Sequence, residues 1–274
     1  MSLGIAFKGP EGIVLAADSR VTINAERPIS DKKSLILPST FDNAIKLLKV
    51  NGHNYVGAVT YGAGAIGLTE PRTAHSFLPE FEFALSKENV ERFSIEDFSK
   101  HLSKFFLEQW NATMPKDIQG DPLIFLIGGY DSDAAYGKVF QVVIPYHPDP
   151  IEQSAGAGVF GITYGGQFQI LTRILSGFDP VLPQSIKDGL KLSDEQKQEL
   201  DKYLPSLNLA IPYQFLPLQD CVDLSMFLIH TTIELQKWMI DIRGVGGVID
   251  IATITRTDGF KYVQRKEIKG DRHV

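Results

Sequence analysis

Over the first sixty positions apolar residues gather in short runs separated by turn residues, the pattern of strands. Gly4 to Lys8 reads as an extended apolar segment, Gly9-Pro10-Glu11-Gly12 as a turn, and Ile13-Val14-Leu15-Ala16-Ala17 as a short buried strand. Asp18-Ser19-Arg20 places charge at the end of that strand. From Thr22 to Asn43 the chain becomes polar, with Pro28, Asp31-Lys32-Lys33 and Pro38, and predicts a connection. Ile45 to Val50 and His53 to Thr60 predict a hairpin, because Asn51-Gly52 supplies the positive-φ turn such a pair needs.

The period then changes. Beyond Tyr61-Gly62-Ala63-Gly64-Ala65-Ile66-Gly67 the spacing predicts helix to about Glu88, interrupted at Pro71 and Pro79. Ser94-Ile95-Glu96-Asp97 is a capping-box type start. Ile95, Phe98, Leu102, Phe105 and Phe106 recur at helical spacing, a stripe expected to face a core rather than a partner. Leu123 to Ile127 and Val139 to Pro145 predict neighbouring strands with Gly128-Gly129-Tyr130-Asp131 after the first. Residues 154–166 are glycine-rich. About 166–217 is polar and proline-punctuated, with a charged helical patch from Ser193 to Tyr203, and reads as an insertion in a single domain spanning 1–274. Val222 to Trp238 predicts a long helix; Gly246-Gly247 opens a strand from Val248 to Thr255, and Lys261 to Arg265 closes the chain. Strands, two helices, strands, two helices, strands: this order predicts an α+β fold with antiparallel sheets inside and helices outside.

Composition narrows the classes. With 43% hydrophobic and 22% charged residues, the chain is neither disordered nor collagen-like. One cysteine excludes a disulfide scaffold and favours a reducing compartment. The 27 basic against 33 acidic residues give a net charge of −6, which disfavours a non-specific nucleic-acid binder. No apolar run approaches the ~18 residues that cross a bilayer, and the start has no signal-peptide pattern. A soluble cytoplasmic protein without nucleic-acid or membrane partners is expected.

Gly62 to Gly67 and Gly156 to Gly161 each fit G-x-G-x-x-G, but neither sits in a βαβ unit with the acidic residue a dinucleotide fingerprint requires. The histidines at 53, 75, 101, 147, 230 and 273 lack ligand spacing, so neither a cofactor nor a metal is expected. Cys221 reads as a small core residue. Asp18 is the informative position. A carboxylate closing five apolar residues is costly unless paired. Its partner is either Arg20, in a structural salt bridge, or Lys46 from the neighbouring hairpin. Ser2 becomes N-terminal if Met1 is removed, as expected before a small side chain.

Leu3-Gly4-Ile5-Ala6-Phe7-Lys8, followed by Gly12-Ile13-Val14-Leu15-Ala16-Ala17-Asp18-Ser19-Arg20-Val21-Thr22, resembles the β-type subunits of the proteasome and bacterial proteasome-like peptidases, which are N-terminal-nucleophile hydrolases. Lys46-Leu47, Gly62, Gly128-Gly129-Tyr130-Asp131, and Asp241 before Gly246-Gly247 extend the likeness over most of the chain. The resemblance implies a four-layer αββα sandwich. It also implies a peptidase whose threonine-type nucleophile falls on Ser2, with Asp18 and Lys46 beside it, a second aspartate at Asp241, and an oxyanion-hole backbone at Gly62 or, one position away, Tyr61. Two accessory serines of the family are replaced, by Ala157 or Val159 and by Val245. Implied partners are a peptide or unfolded-protein substrate, like subunits in a ring, and an ATPase.

The chemistry stands without the family. An α-amine titrates near ~7.7–8.0, so part of it is free base at neutral pH and can take the proton of its own residue's hydroxyl. A cation nearby keeps that amine basic form populated, and a carboxylate holds the cation. Competing readings are a catalytically silent ring-forming subunit, a small-molecule amidase of the same superfamily, and a nucleotide-dependent enzyme.

Overall fold

Ten short strands pair into two antiparallel sheets because each apolar run is too short for a helix and is bounded by a tight turn. A computed structural model describes residues 2–30, 33–68, 70–115 and 120–270. β1 (Leu3–Lys8) and β2 (Ile13–Ala17) pair around a turn closed by Gly9 N–H donating to Gly12 O at 2.9 Å. β3 (Val21–Ser30) and β4 (Lys33–Phe41) form a separate two-stranded ribbon. β5 (Leu47–Lys49) and β6 (Val56–Gly62) follow, then α1 (Leu78–Ser86) and α2 (Ile95–Thr113). β7 (Leu123–Gly129), β8 (Lys138–Ile144) and β9 (His147–Gln153) continue the sheet β5-β6-β7-β8-β9. β10 (Gly161–Gly166), β11 (Asp250–Thr255) and β12 (Gly259–Gln264) complete the sheet β10-β1-β2-β11-β12.

The chain divides into two compact units, residues 1–166 with 213–274, and residues 167–212. The first holds both sheets, α1, α2 and a long helix, Leu218–Gln236. The second holds α3 (Gln169–Ser176), α4 (Leu182–Gly189) and α5 (Asp194–Tyr203), so that the long helix is α6. Within the small unit Ser193 caps α5 through a full capping box, Lys187 Nζ pairs with Asp201 at 2.7 Å, and Leu209 N–H closes onto Leu175 O.

Strand alternation explains the core of the large unit. Ala6 on β1, with Ile13, Leu15 and Ala17 on β2, meets Leu47, Val59, Tyr61 and Leu126 of the other sheet. Gly4 on the same face leaves room for the Tyr61 ring, whose Cδ1 would lie 2.8 Å from any Cβ there. The far side of the second sheet is covered by α1 and α2, where Phe98, Leu102 and Phe106 pack with Phe81, Phe125 and Val142. Ser94 starts α2 as predicted, its hydroxyl accepting from Asp97 N–H at 3.1 Å. Cys221 is buried on α6, and its thiol is pushed up to about 11, chiefly by burial.

Two local expectations change. The polar stretch 22–43 is not a connection: β3 and β4 pair from Val21 opposite Phe41 to Ser30 opposite Lys33, while Asp31 and Lys32 lie outside the described residues. Hydrophobic pattern misses a ribbon whose Ile23, Leu35, Leu37 and Phe41 are all exposed. β9, with Pro148 and Pro150, also had no predicted strand; it is an edge strand, the place where missing N–H groups are tolerated.

Candidate active site

Asp18 leaves β2 at its C-terminal end, and its side chain is fully buried. It is held from four directions. Oδ1 accepts from Leu3 N–H at 2.9 Å and from Lys46 Nζ at 2.6 Å. Oδ2 accepts from Arg20 N–H and Gly246 N–H, both at 3.0 Å. One carboxylate thus ties the start of β1, the residue before β5 and the loop before β11 to a single point. Lys46 Nζ and the amide that follows Ser2 share Oδ1, so they cannot lie further apart than those two bonds laid end to end.

Lys46 is 4% exposed and also donates to Arg20 O at 2.5 Å. Among the described residues its third N–H has no partner. Burial pulls its ammonium below the usual lysine range, with Lys266 and Arg20 acting in the same sense and Asp18 against them. Desolvation alone would neutralise such a group, and the buried carboxylate at 2.6 Å keeps it charged.

Arg20, the alternative partner, goes elsewhere. Its guanidinium forks onto Asp42 at 2.5 and 2.6 Å and reaches Arg243 O at 3.1 Å; only its backbone N–H serves Asp18. The salt bridge of Asp18 is with Lys46, and the Arg20 guanidinium is spent on Asp42.

Ser2 is buried beside this pair, and Met1 lies outside the described residues. Opposite it the end of β10 comes very close: Gly166 has φ +97°, and a Cβ there would sit 1.9 Å from Ser2 O. No residue with a side chain fits, so the main chain of Ser2 is fixed by a contact that only glycine permits. Gly62 ends β6 with φ +86°, and a Cβ on it would lie 2.0 Å from Pro122 O. Ala63 N–H is spent on that same carbonyl at 2.8 Å. Tyr61 is a core residue, its ring buried between the sheets and its hydroxyl accepting from Gln141 Nε2 at 2.9 Å. An open cleft of about 960 Å³ runs past Ala63, next in sequence to Gly62, past Val21, next to Arg20, and past Ala44, two residues before Lys46.

Asp241 does not join the group. It is exposed, and its carboxylate accepts from the neighbouring Ile242 N–H. The loop is attached instead through Gly246, whose O accepts from Ser19 N–H at 3.0 Å, and through Val245 N–H on Gln236 Oε1 at 3.1 Å. The double glycine carried the signal, and the charged residue five positions earlier did not. Val245 is buried at this loop. Ala157 and Val159 are exposed in the turn between β9 and β10, and the register puts that turn next to Lys8, the far end of β1 from Ser2. They face nothing in this site. Pattern reading also missed Ser19, whose hydroxyl donates to Val248 O, and the neighbouring buried pair Lys266–Asp250, in which Lys266 Nζ also donates to Ala44 O at 2.7 Å. Lys266 sits in a polar tail with no pattern to mark it.

Neither glycine-rich motif forms a dinucleotide site: Gly156 to Gly161 is the β9–β10 turn, and every strand pair is antiparallel. No helix among the described residues is long and apolar enough to cross a membrane.

No family model and no curated protein matches the chain. Among solved structures it is similar to the Gly-1 mutant of Anbu from Hyphomicrobium sp. strain MC1, at 14% identity and a TM-score of 0.55, over 100% of this chain and 89% of that one. The resemblance to proteasome β-type subunits and bacterial proteasome-like peptidases is accordingly corrected. With no family model matching and 14% identity to Anbu, what is shared is a fold, and family membership does not follow. The chain is a mixed α and β protein with antiparallel sheets and the fold of Anbu.

Proposed function

We propose that the protein is an N-terminal-nucleophile hydrolase that cleaves peptide bonds through Ser2, exposed by removal of Met1. The observation that carries this reading is Asp18 Oδ1, which holds both the amide following Ser2 and the buried Lys46 ammonium. The fold shared with Anbu supports it, as do α1 and α2 packed on the outer side of one sheet, which a four-layer αββα sandwich requires.

In this reading the Ser2 α-amine takes the proton from its own Oγ as Oγ bonds to the substrate carbonyl carbon. The oxyanion forms against the Gly62 N–H, since the Ala63 N–H is already spent on Pro122 O, and a fixed donor there is typically worth ~3–4 kcal/mol. The amine then returns the proton to the leaving nitrogen as the C–N bond breaks, and water hydrolyses the Ser2 ester by the same exchange. Lys46 keeps positive charge near the amine and favours its unprotonated form. The open, mostly apolar cleft suits an extended peptide or unfolded segment. Exposed Phe227, Leu235, Trp238 and Ile240, on and after α6, support association with like subunits.

The test compares the parent with Ser2→Ala, Met1 shown absent from both by intact mass, on fluorogenic peptides and a β-lactone. The parent hydrolyses the peptides and is acylated, and the variant does neither. Equal turnover by both, or no adduct on the parent from pH 6 to 9, leaves a catalytically silent subunit of this fold as the reading.

A further inference from the structure

At the opposite end of the sheets, the turns at 130–137 and 255–258 and the segment before α2 enclose a cavity of about 300 Å³ lined by Arg92, Asp131, Ser132, Arg256 and Thr257. β6 and β7 run from Gly62 opposite Leu123 to Val56 opposite Gly129, so the cavity lies ~20 Å from Ser2, at about 3.4 Å per residue. The catalytic reading makes no use of it.

Arg92 is built into the wall. Its guanidinium lies 3.9 Å from the centre of the Tyr55 ring, one terminal nitrogen donates to Tyr130 O at 2.7 Å, and Nε is buried without a hydrogen-bond partner. Arg256, at the end of β11, is exposed and makes no ion pair or hydrogen bond among the described residues. The one acid of the lining, Asp131, is already engaged by Ile95 N–H at 2.8 Å and Lys138 Nζ at 2.9 Å, and those bonds hold its carboxyl below the usual range against burial. The cavity is left with two guanidinium groups and the Ser132 and Thr257 hydroxyls.

A second cavity of about 440 Å³ shares Arg92 and Ser132 with the first. Its other walls include Tyr55, Phe93, Phe98 and His53, with one acid, the exposed Glu91. The His53 ring sits 5.5 Å from Phe93 and 5.9 Å from Phe98, and burial lowers its pKa, so it presents an uncharged ring at neutral pH.

We infer that these adjacent cavities bind a phosphate monoester with an aromatic body, its phosphoryl oxygens on Arg92 and Arg256 and its ring among Tyr55, Phe93 and His53. Guanidinium groups match tetrahedral oxyanions, and Arg92 keeps terminal N–H donors beyond the one spent on Tyr130 O. Two arginines attract the near-double charge of a phosphate monoester more strongly than the single charge of a carboxylate. The neighbouring rings give the ester a flat apolar surface.

The full chain is titrated with phenyl phosphate, inorganic phosphate and phenol at constant ionic strength, followed by calorimetry and by amide shifts at Ser132 and Thr257. Phenyl phosphate binds at least tenfold tighter than inorganic phosphate or phenol. Arg256→Ala, on an exposed turn, weakens it at least tenfold with an unchanged melting temperature. Arg92→Lys, which keeps the charge and loses the fork, does the same. Absence of saturable binding, equal binding by Arg256→Ala, or phenyl phosphate no tighter than either fragment overturns the assignment.

Discussion

Lys46 and Lys8 are both buried, both lie at a strand end between the sheets, and burial lowers both below the usual lysine range. Their partners differ. Lys46 meets the Asp18 carboxylate at 2.6 Å, inside a node of four hydrogen bonds. Lys8 meets only carbonyls, Ser154 O at 2.9 Å and Gly156 O at 3.0 Å, with Glu152 acting at longer range. The same residue type in the same degree of burial is therefore fixed as a charge at one end of the molecule and serves to tether a glycine-rich turn at the other. Burial alone does not separate the two lysines; the carboxylate whose Oδ1 also accepts the Leu3 N–H does.

The largest effect that could break this contrast is at Lys46. Lys46→Met leaves Asp18 buried with its countercharge gone, and such losses cost about 3–5 kcal/mol. Chemical denaturation should show that loss, and peptide turnover should disappear with it. A cost under about 1 kcal/mol would mean that water, and not Lys46, compensates Asp18.

Lys8→Met should change stability at pH 7 by no more than about 1 kcal/mol, since it removes a buried ammonium together with two neutral hydrogen bonds. The sharper reading is its pH dependence. The folded pKa of Lys8 lies below its unfolded value, so between the two the unfolded chain binds more protons and stability rises with pH. Melting curves from pH 8 to 10.5 should lose that rise in the variant relative to the parent. An identical pH profile in both would place Lys8 at an ordinary pKa.

The smallest effect belongs to Arg20–Asp42, a bidentate pair whose Asp42 is largely solvated. Asp42→Asn should cost about 1 kcal/mol or less and less still at high salt, as for exposed pairs. Full activity in Asp42→Asn would separate this outer pair from the Asp18 node; a loss matching Lys46→Met would join them.

Local pattern determined much of this protein. Turn chemistry around Gly9–Gly12 and Asn51-Gly52, the alternation in β1 and β2, and the capped apolar stripe of α2 follow from neighbours a few residues apart, and the elements formed where those signals lie. The need of Asp18 for a cation was also legible, because a carboxylate after five apolar residues has no local remedy. What tertiary structure alone decided is which distant groups answer that need. Lys46 is 28 residues away and Gly246 is 228, and no spacing rule reaches so far. The same holds for Asp241 and Val159, aligned by sequence order but carried away from Ser2 by the path of their loops, and for Gly166, whose lack of a Cβ matters only because the Ser2 carbonyl passes beside it. The β3–β4 ribbon stayed hidden for the converse reason: its order comes from backbone pairing across the ribbon, and its apolar Ile23, Leu35, Leu37 and Phe41 face solvent.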